Sequence, residues 1–295
     1  MIRILMSACL AALLCLSTAS ADPANAQAAR KPRVVATFSI LGDMAANVGA
    51  GRIDLAVLVR HDADAHDFQP GPADAKAVAQ ADIFLVNGRG FDDWATRLAK
   101  SSGGKARIVK VAAAVKARPQ DPHAWQDVSN ALLYVDAMEK AFAKVSPSDA
   151  VAFRKAADAY RAELKDLHRE ILDSVSAIPV ARRNVITTHD AFGFFGRAYG
   201  IRFLAPLGLS THAQASAKSL SVLVRQIRRE RISALFLENI ADNRLIEQIA
   251  RETGASVGGR LYSDALSGKD GPAATYVAMM RQNAKLLTGA MAKGS

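Results

Sequence analysis

Between residues 147 and 176 the chain has no glycine and no proline after Pro147 itself, and its apolar residues recur at three- and four-residue steps. Val151, Phe153, Ala157, Tyr160, Leu164, Leu167, Ile171 and Val175 therefore share one stripe of a helix. Ser146 or Ser148 is placed to cap its start, and Pro179 requires the helix to have ended. About 30 residues at 1.5 Å each make a rod of roughly 45 Å, the width of a domain or more. Such a rod reads as the join between two halves of the chain.

Each half alternates short apolar runs with amphipathic ones. Before the rod, strands are expected over 34–38, 53–59, 83–86 and 107–111, with helices over 42–48, 72–80 and 91–100. After it, strands are expected over 184–187, 202–205, 232–237 and 256–259, with helices over 191–199, 217–230, 243–253 and 272–288. Strands that are apolar almost throughout, set between helices, indicate parallel sheets covered on both faces. The expected fold class is α/β: two parallel-sheet α/β lobes, 27–146 and 179–295, joined by one long rigid helix over 147–178. No repeat of fixed period is visible.

The first residues read as an export signal. Arg3 precedes an apolar run over 4–16 broken only by Ser7, and small-residue patterns follow at Ala19-Ser20-Ala21 and Ala24-Asn25-Ala26. The run is too short to span a bilayer. Cleavage after residue 26 removes Cys9 and Cys15, both of the chain's cysteines. The remainder then has no disulfide framework, no cysteine zinc site and no thiol nucleophile. Ala12-Leu13-Leu14-Cys15 is a poor lipidation signal. The net charge of +10 is dispersed, for example over Arg182, Arg183, Arg225, Arg228, Arg229 and Arg231, and aromatics make up only 6%. A solvated basic surface is the expectation, with no nucleic-acid partner. The mature protein is expected to be soluble, exported and monomeric.

Six histidines remain to carry chemistry: His61, His66, His123, His168, His189 and His212. His168 lies within the rod beside Asp166, Arg169 and Glu170 and is expected at the solvated surface. His66, His123 and His189 each lie beyond a strand or in a loop, and Asp264 follows the last expected strand. Open parallel sheets bind ligands at the carboxyl ends of their strands. Three neutral imidazoles and one carboxylate make a tetrahedral, zinc-type donor set. The four are many tens of residues apart, however, and no pattern such as HExxH fixes two on one helical face. Spacing alone leaves each histidine an open candidate, and Asp264 a weaker one.

As an ordered set, several segments resemble one family. They are Thr37-Phe38-Ser39-Ile40 with Asp43, the stretch 64–70, Asn87-Gly88, Asp121-Pro122-His123-Ala124-Trp125, His189-Asp190-Ala191-Phe192 and Tyr262-Ser263-Asp264. Together, flanking a long central helix, they resemble the metal-binding solute receptors of ATP-driven importers, the zinc/manganese cluster often called cluster A-I. The resemblance implies one metal ion in the cleft between the lobes, held by His66 and His123 from the first and by His189 and Asp264 from the second. It also implies a periplasmic zinc-binding receptor, not an enzyme, that delivers its ion to a cognate inner-membrane permease.

Two departures stand out. No histidine lies between Asp67 and Pro122, where many zinc members carry a His-rich loop, so this receptor either dispenses with one or is loaded by a periplasmic metal chaperone. Asp92-Asp93 stand where the family often has a glutamate, and no role beyond surface or packing is assigned to them. Around the donors, His61, Asp62 and Asp64 read as a polar turn that aims His66, with a capture patch as the alternative. His212 is expected in a loop facing the cleft, with an auxiliary role only as the alternative reading. Glu238 is expected to orient a ligand histidine, and Trp125 and Phe192 to pack the lobe interface. Zn2+ is expected over Mn2+, because three imidazoles and one carboxylate form a low-coordination, borderline-soft site. The alternatives are a manganese or iron receptor of the same fold and a secreted zinc hydrolase, which would need Glu238 as its base.

Overall fold

The computed structural model describes residues 30–211, 216–232 and 234–293. The expected signal segment 1–26 with its two cysteines, and His212, lie outside the described residues.

Strands β1 (Arg33–Phe38), β2 (Asp54–Val59), β3 (Ile83–Val86) and β4 (Arg107–Lys110) form an all-parallel sheet in the order β2-β1-β3-β4. The two central strands carry the most apolar runs, Val34–Phe38 in β1 and all of β3, and these are buried. Edge strand β4 is mostly exposed. Parallel pairing requires crossovers, supplied by α1 (Ser39–Gly49), α2 (Pro72–Ala79) and α3 (Asp93–Ser101).

Then come two long helices, α4 (Val128–Val145) and α5 (Ala150–Ser176). Helix α5 is the expected rod, and its buried face is Phe153, Ala157, Tyr160, Leu164, Leu167, Ile171 and Val175. Val151 departs from that stripe at 83% exposed. Neither Ser146 nor Ser148 caps α5: residues Pro147–Asp149 form a tight turn first, and α5 starts after it with Asp149 at the cap position. No element was expected over α4. It is a strong helix nonetheless, capped by Asp127, which accepts the Ser129 N–H, and burying Val128, Ala131, Tyr134, Val135, Met138, Ala141 and Phe142. Helices α4 and α5 pack along one another, and Arg161 of α5 pairs with Asp136 and Glu139 of α4. The rod is thus one arm of a helical hairpin.

The second sheet consists of β5 (Asn184–Ile186), β6 (Arg202–Leu204), β7 (Ala234–Glu238) and β8 (Ser256–Leu261), in the order β6-β5-β7-β8 and again all parallel. Its helices are α6 (Gly193–Tyr199), α7 (Ala217–Glu230) and α8 (Arg244–Thr253), and α9 (Tyr276–Lys293) closes the described chain. In each sheet the first and third strands are neighbours, and their outgoing connections lead to opposite edges. Such a switch point opens a crevice at the strands' carboxyl ends. One topology is therefore used twice without a sequence repeat. A bulge in β8, where Gly259 takes φ of +132°, restores the pairing of Glu238 with Leu261 at the end of the sheet that leads to Asp264.

One continuous apolar core runs from the first sheet through α1, α4 and α5 to Phe192, Tyr262, Leu266 and α9. A smaller core, with Ile186, Leu223, Ile227, Leu235, Ile246 and Ile249, lies under α7 and α8. No described helix is long and apolar enough to cross a membrane.

Candidate metal centre

All four expected donors lie beyond the carboxyl ends of strands: His66 after β2, His123 after β4, His189 after β5 and Asp264 after β8. The structure brings them together, one donor atom from each within 4.8 Å of the others. His66 Nε2 stands 3.2 Å from Asp264 Oδ2 and 3.4 Å from His123 Nε2. His189 Nε2 is 3.2 Å from the same Oδ2, and His123 Nε2 is 3.6 Å from Asp264 Oδ1. Tetrahedral donors around an ion with bonds of about 2.0–2.1 Å stand about 3.3 Å apart, close to these separations. His123, His189 and Asp264 are fully buried, and the His66 side chain is 7% exposed.

Both oxygens of Asp264 lack an aligned hydrogen-bond donor, although imidazole nitrogens lie near. A buried carboxylate without aligned donors is costly unless something positive completes its shell. A divalent ion among the four donors fits that need, so the residues present suit a metal as cargo.

The electrostatics agree. Burial alone would raise the Asp264 carboxyl, but the charges of His123 and His189 and the close imidazole nitrogens of His189 and His66 outweigh it and hold the group well below the usual carboxylate range. Burial likewise pulls the His189 imidazole down, yet Glu238 and Asp264 outweigh it and hold that imidazole well above its ordinary range.

A second ring of groups fixes the donors. Glu238, at the end of β7, lies 2.7 Å from His189 Nδ1, an ion-pair contact not aligned as a hydrogen bond, and its other oxygen accepts the Thr188 and His189 N–H groups at 2.8 and 2.9 Å. It orients a histidine, as expected, and being engaged there it is not free to act as a hydrolytic base. Asp121 Oδ1 lies 3.0 Å from both the backbone N and Nδ1 of His123. Its other oxygen accepts from Arg118 Nε at 2.8 Å. Burial opposes ionisation of Asp121, but His123 and Arg118 lower its carboxyl. Sequence reasoning assigned Asp121 no role. The signal was there: Asp64-Ala65-His66 and Asp121-Pro122-His123 are both Asp-x-His, and in each the carboxylate accepts the histidine's own N–H.

Of the two readings left for Asp92, surface or packing, the structure shows packing: it is buried and accepts from Thr37 Oγ1 at 2.7 Å and from the N–H groups of Asn87 and Gly88 at 2.7 and 2.8 Å. Asn87 in turn donates to the Pro122 carbonyl at 3.0 Å and accepts from Tyr134 at 2.6 Å, so this knot supports the His123 loop. Beneath the site Phe38, Phe91 and Trp125 pack ring against ring, with the His66 ring on Phe91. His168 is half-buried rather than solvated: its Nδ1 is 3.1 Å from the Tyr199 hydroxyl on α6. Phe192 stacks on Phe203 of β6, within its own lobe.

The loop that carries Asp264 is tied to the first lobe. Trp125 Nε1 and Gln126 Nε2 donate to the Ser263 carbonyl at 2.9 and 2.7 Å, and Leu266 N donates to Ser39 Oγ at 3.0 Å. The polar turn before His66 reaches back across. Asp62 accepts from Asn239 Nδ2 at 3.0 Å, its N–H donates to the Leu266 carbonyl at 2.9 Å, and Asp64 accepts from Thr211 at 2.6 Å. That turn therefore aims His66 and clasps the second lobe.

Other proteins share this architecture. A solved structure described as the periplasmic zinc binding protein TroA from Treponema pallidum superposes with a TM-score of 0.83 at 27% identity, covering 88% of this chain and 99% of that one. The manganese-binding lipoprotein MntA of Halalkalibacterium halodurans is 29% identical over 92% of each chain. The iron-binding protein YfeA of Yersinia pestis is 30% identical over 90% of this chain and 88% of its own. A family model described as ZnuA, zinc-uptake complex component A, periplasmic, matches residues 34–290. The chain therefore belongs to this family of periplasmic metal-binding receptors, which serve ABC importers and are not enzymes.

Proposed function

We propose that this protein captures one divalent transition-metal ion between His66, His123, His189 and Asp264 and hands it to the permease of an ABC importer, with zinc the preferred cargo. The observation that carries the reading is the buried cluster itself: three imidazoles converge on a carboxylate whose two oxygens have no aligned donor. Three nitrogens and a carboxylate favour zinc over manganese on intrinsic affinity, and the donor separations are near a tetrahedral edge. The similarity to a zinc-binding TroA supports the same ion. Each chain holds a complete donor set, so a monomer suffices. Residues 1–26 are read as the cleaved export signal and 147–178 as the segment joining the lobes 27–146 and 179–295. Without a His-rich loop, capture rests on these four donors, loaded either directly or by a periplasmic metal chaperone.

A manganese or iron cargo has specific support of its own. Asp264 turns Oδ2 toward His66 and His189 and Oδ1 toward His123, so both oxygens can bind and raise the donor count to five. The similarity to MntA and YfeA points the same way. The deciding experiment is elemental analysis of protein purified from periplasm without added metal, together with competition dialysis at equal free zinc and manganese. Zinc-loaded protein is expected; manganese-loaded protein would replace zinc by the second reading.

A further inference from the structure

Arg89 serves no donor atom directly, yet its side chain organises the segment that does. Its guanidinium donates from Nη1 to the Val115 carbonyl at 2.7 Å, from Nη2 to the Ala117 carbonyl at 2.9 Å and to the Arg118 carbonyl, and from Nε to the Asp121 carbonyl at 3.0 Å. Four carbonyls of one segment thus converge on one rigid fork, a match that only arginine's planar donor array provides. The segment ends in Asp121 and His123, so the fork holds the backbone from which the His123 ring and its carboxylate partner project. Arg89 itself takes φ of +59° between Gly88 and Gly90, which are also left-handed, an arrangement a non-glycine residue adopts at some cost.

The second lobe closes over this clamp. The ring of Phe194, at the start of α6, lies 5.6 Å from the Arg89 guanidinium and 5.9 Å from that of Arg118, both within cation–π range. Arg118 holds Asp121, and Asp121 holds His123. Phe194 also follows His189 by only five residues, so one short stretch of the second lobe carries a donor and the cover of the opposite donor's clamp.

We infer that Arg89 is a positioning residue for metal binding: it presets the His123 ring through the 115–121 backbone, and Phe194 completes the clamp when the two lobes are together. This rests on the metal-site reading above. Resistance to losing Arg89 is therefore tested by a double-mutant cycle on the full mature chain, with zinc affinity read by chelator competition. Arg89→Ala and Arg89→Lys are each expected to weaken zinc binding roughly 10- to 100-fold, the size typical of groups that support a ligand. In a His123→Ala background the same Arg89 changes are expected to cost almost nothing further. Phe194→Leu is expected to show a smaller loss with the same dependence on His123. Arg89→Lys keeps the charge and the apolar stem and serves if Arg89→Ala does not fold. Equal losses in both backgrounds would overturn the inference, since a merely structural role lowers affinity whether or not His123 is present. Wild type that binds no zinc, or His123→Ala that binds like wild type, would instead overturn the metal-site reading, and this inference with it.

Discussion

Asp121 and Glu238 show how much of the site lies one shell outside the donors. Each lies against the Nδ1 of a histidine in the cluster, Asp121 on His123 and Glu238 on His189, and so leaves Nε2 as the atom that faces the other candidate donors. Asp121→Asn and Glu238→Gln are each expected to weaken metal binding about 10- to 100-fold while leaving the donors in place. His168→Ala is the matched control. It removes one hydrogen bond to Tyr199, so it is expected to cost about 1 kcal/mol of stability and to leave metal affinity unchanged. The site also titrates. The raised His189 pKa means that its ion pairs stabilise the metal-free fold at and below the ordinary imidazole range and are lost as pH rises through the elevated value. The lowered Asp264 contributes stability above the ordinary carboxylate range and loses it as pH falls through its depressed value. An incoming ion competes with a proton that the raised His189 holds more tightly than a free imidazole would, so metal binding is expected to release protons and to weaken as pH falls. Titration calorimetry in buffers of different ionisation enthalpy measures the release, and no buffer dependence would contradict the shift. His189→Glu is expected to weaken zinc more than manganese, by exchanging a nitrogen donor for charged oxygens. At this scale position past a strand left each histidine an open candidate and Asp264 a weaker one; the resemblance singled out the four, and the structure brings them together. The roles of Asp92 and Arg89 were not legible, since nothing local says that an acidic turn residue will be buried or that an arginine will find four carbonyls.

Among elements, α5 was legible over nearly its whole length because a gap-free stretch with one apolar stripe has no competing reading. Helix α4 has the same periodicity but emerges directly from the His123 loop, where the motif residues Asp121–Trp125 read as loop and masked the cap at Asp127. Strand edges and helix starts shifted by a few residues, most at α9, which begins at Tyr276, where Thr275 Oγ1 accepts the Ala278 N–H at 3.1 Å and Asp43 of α1 accepts the Tyr276 N–H at 2.9 Å. Burial pushes the Asp43 carboxyl up to about 6, with Glu163 adding to the rise and the Tyr276 bond opposing it. The native state therefore holds this proton more tightly than the unfolded chain, and stability falls as pH rises from about 4 to about 6. Asp43→Asn is expected to flatten that fall, by at most about 3 kcal/mol and by less where water reaches the half-buried group. Thermal melts of both proteins across this range measure it. At the start of α6, a Cβ on Gly193 would come within 2.7 Å of Asp121 Oδ2 and crowd the Arg118 side chain. Gly193→Ala is accordingly expected to weaken metal binding although it removes no donor, which chelator competition would show.

At the scale of the molecule, alternating strands and helices foretold two parallel sheets, but not that the sheets share one strand order, because topology can repeat without any sequence period. Nor did the sequence show that the loop bearing Asp264, though it follows the second sheet, is hydrogen-bonded to Trp125, Gln126 and Ser39 of the first lobe. Hydrogen exchange is therefore expected to show metal removal loosening the segment around His189 more than the segment over 263–267. The four donors remain the claim on which everything else depends. X-ray absorption at the zinc edge, on wild type and His189→Ala, reads them directly. Wild type is expected to show three imidazole nitrogens and carboxylate oxygen at about 2.0–2.2 Å, falling to two imidazoles in the variant. A wild-type spectrum without an imidazole shell, or one that His189→Ala leaves unchanged, would contradict the assignment.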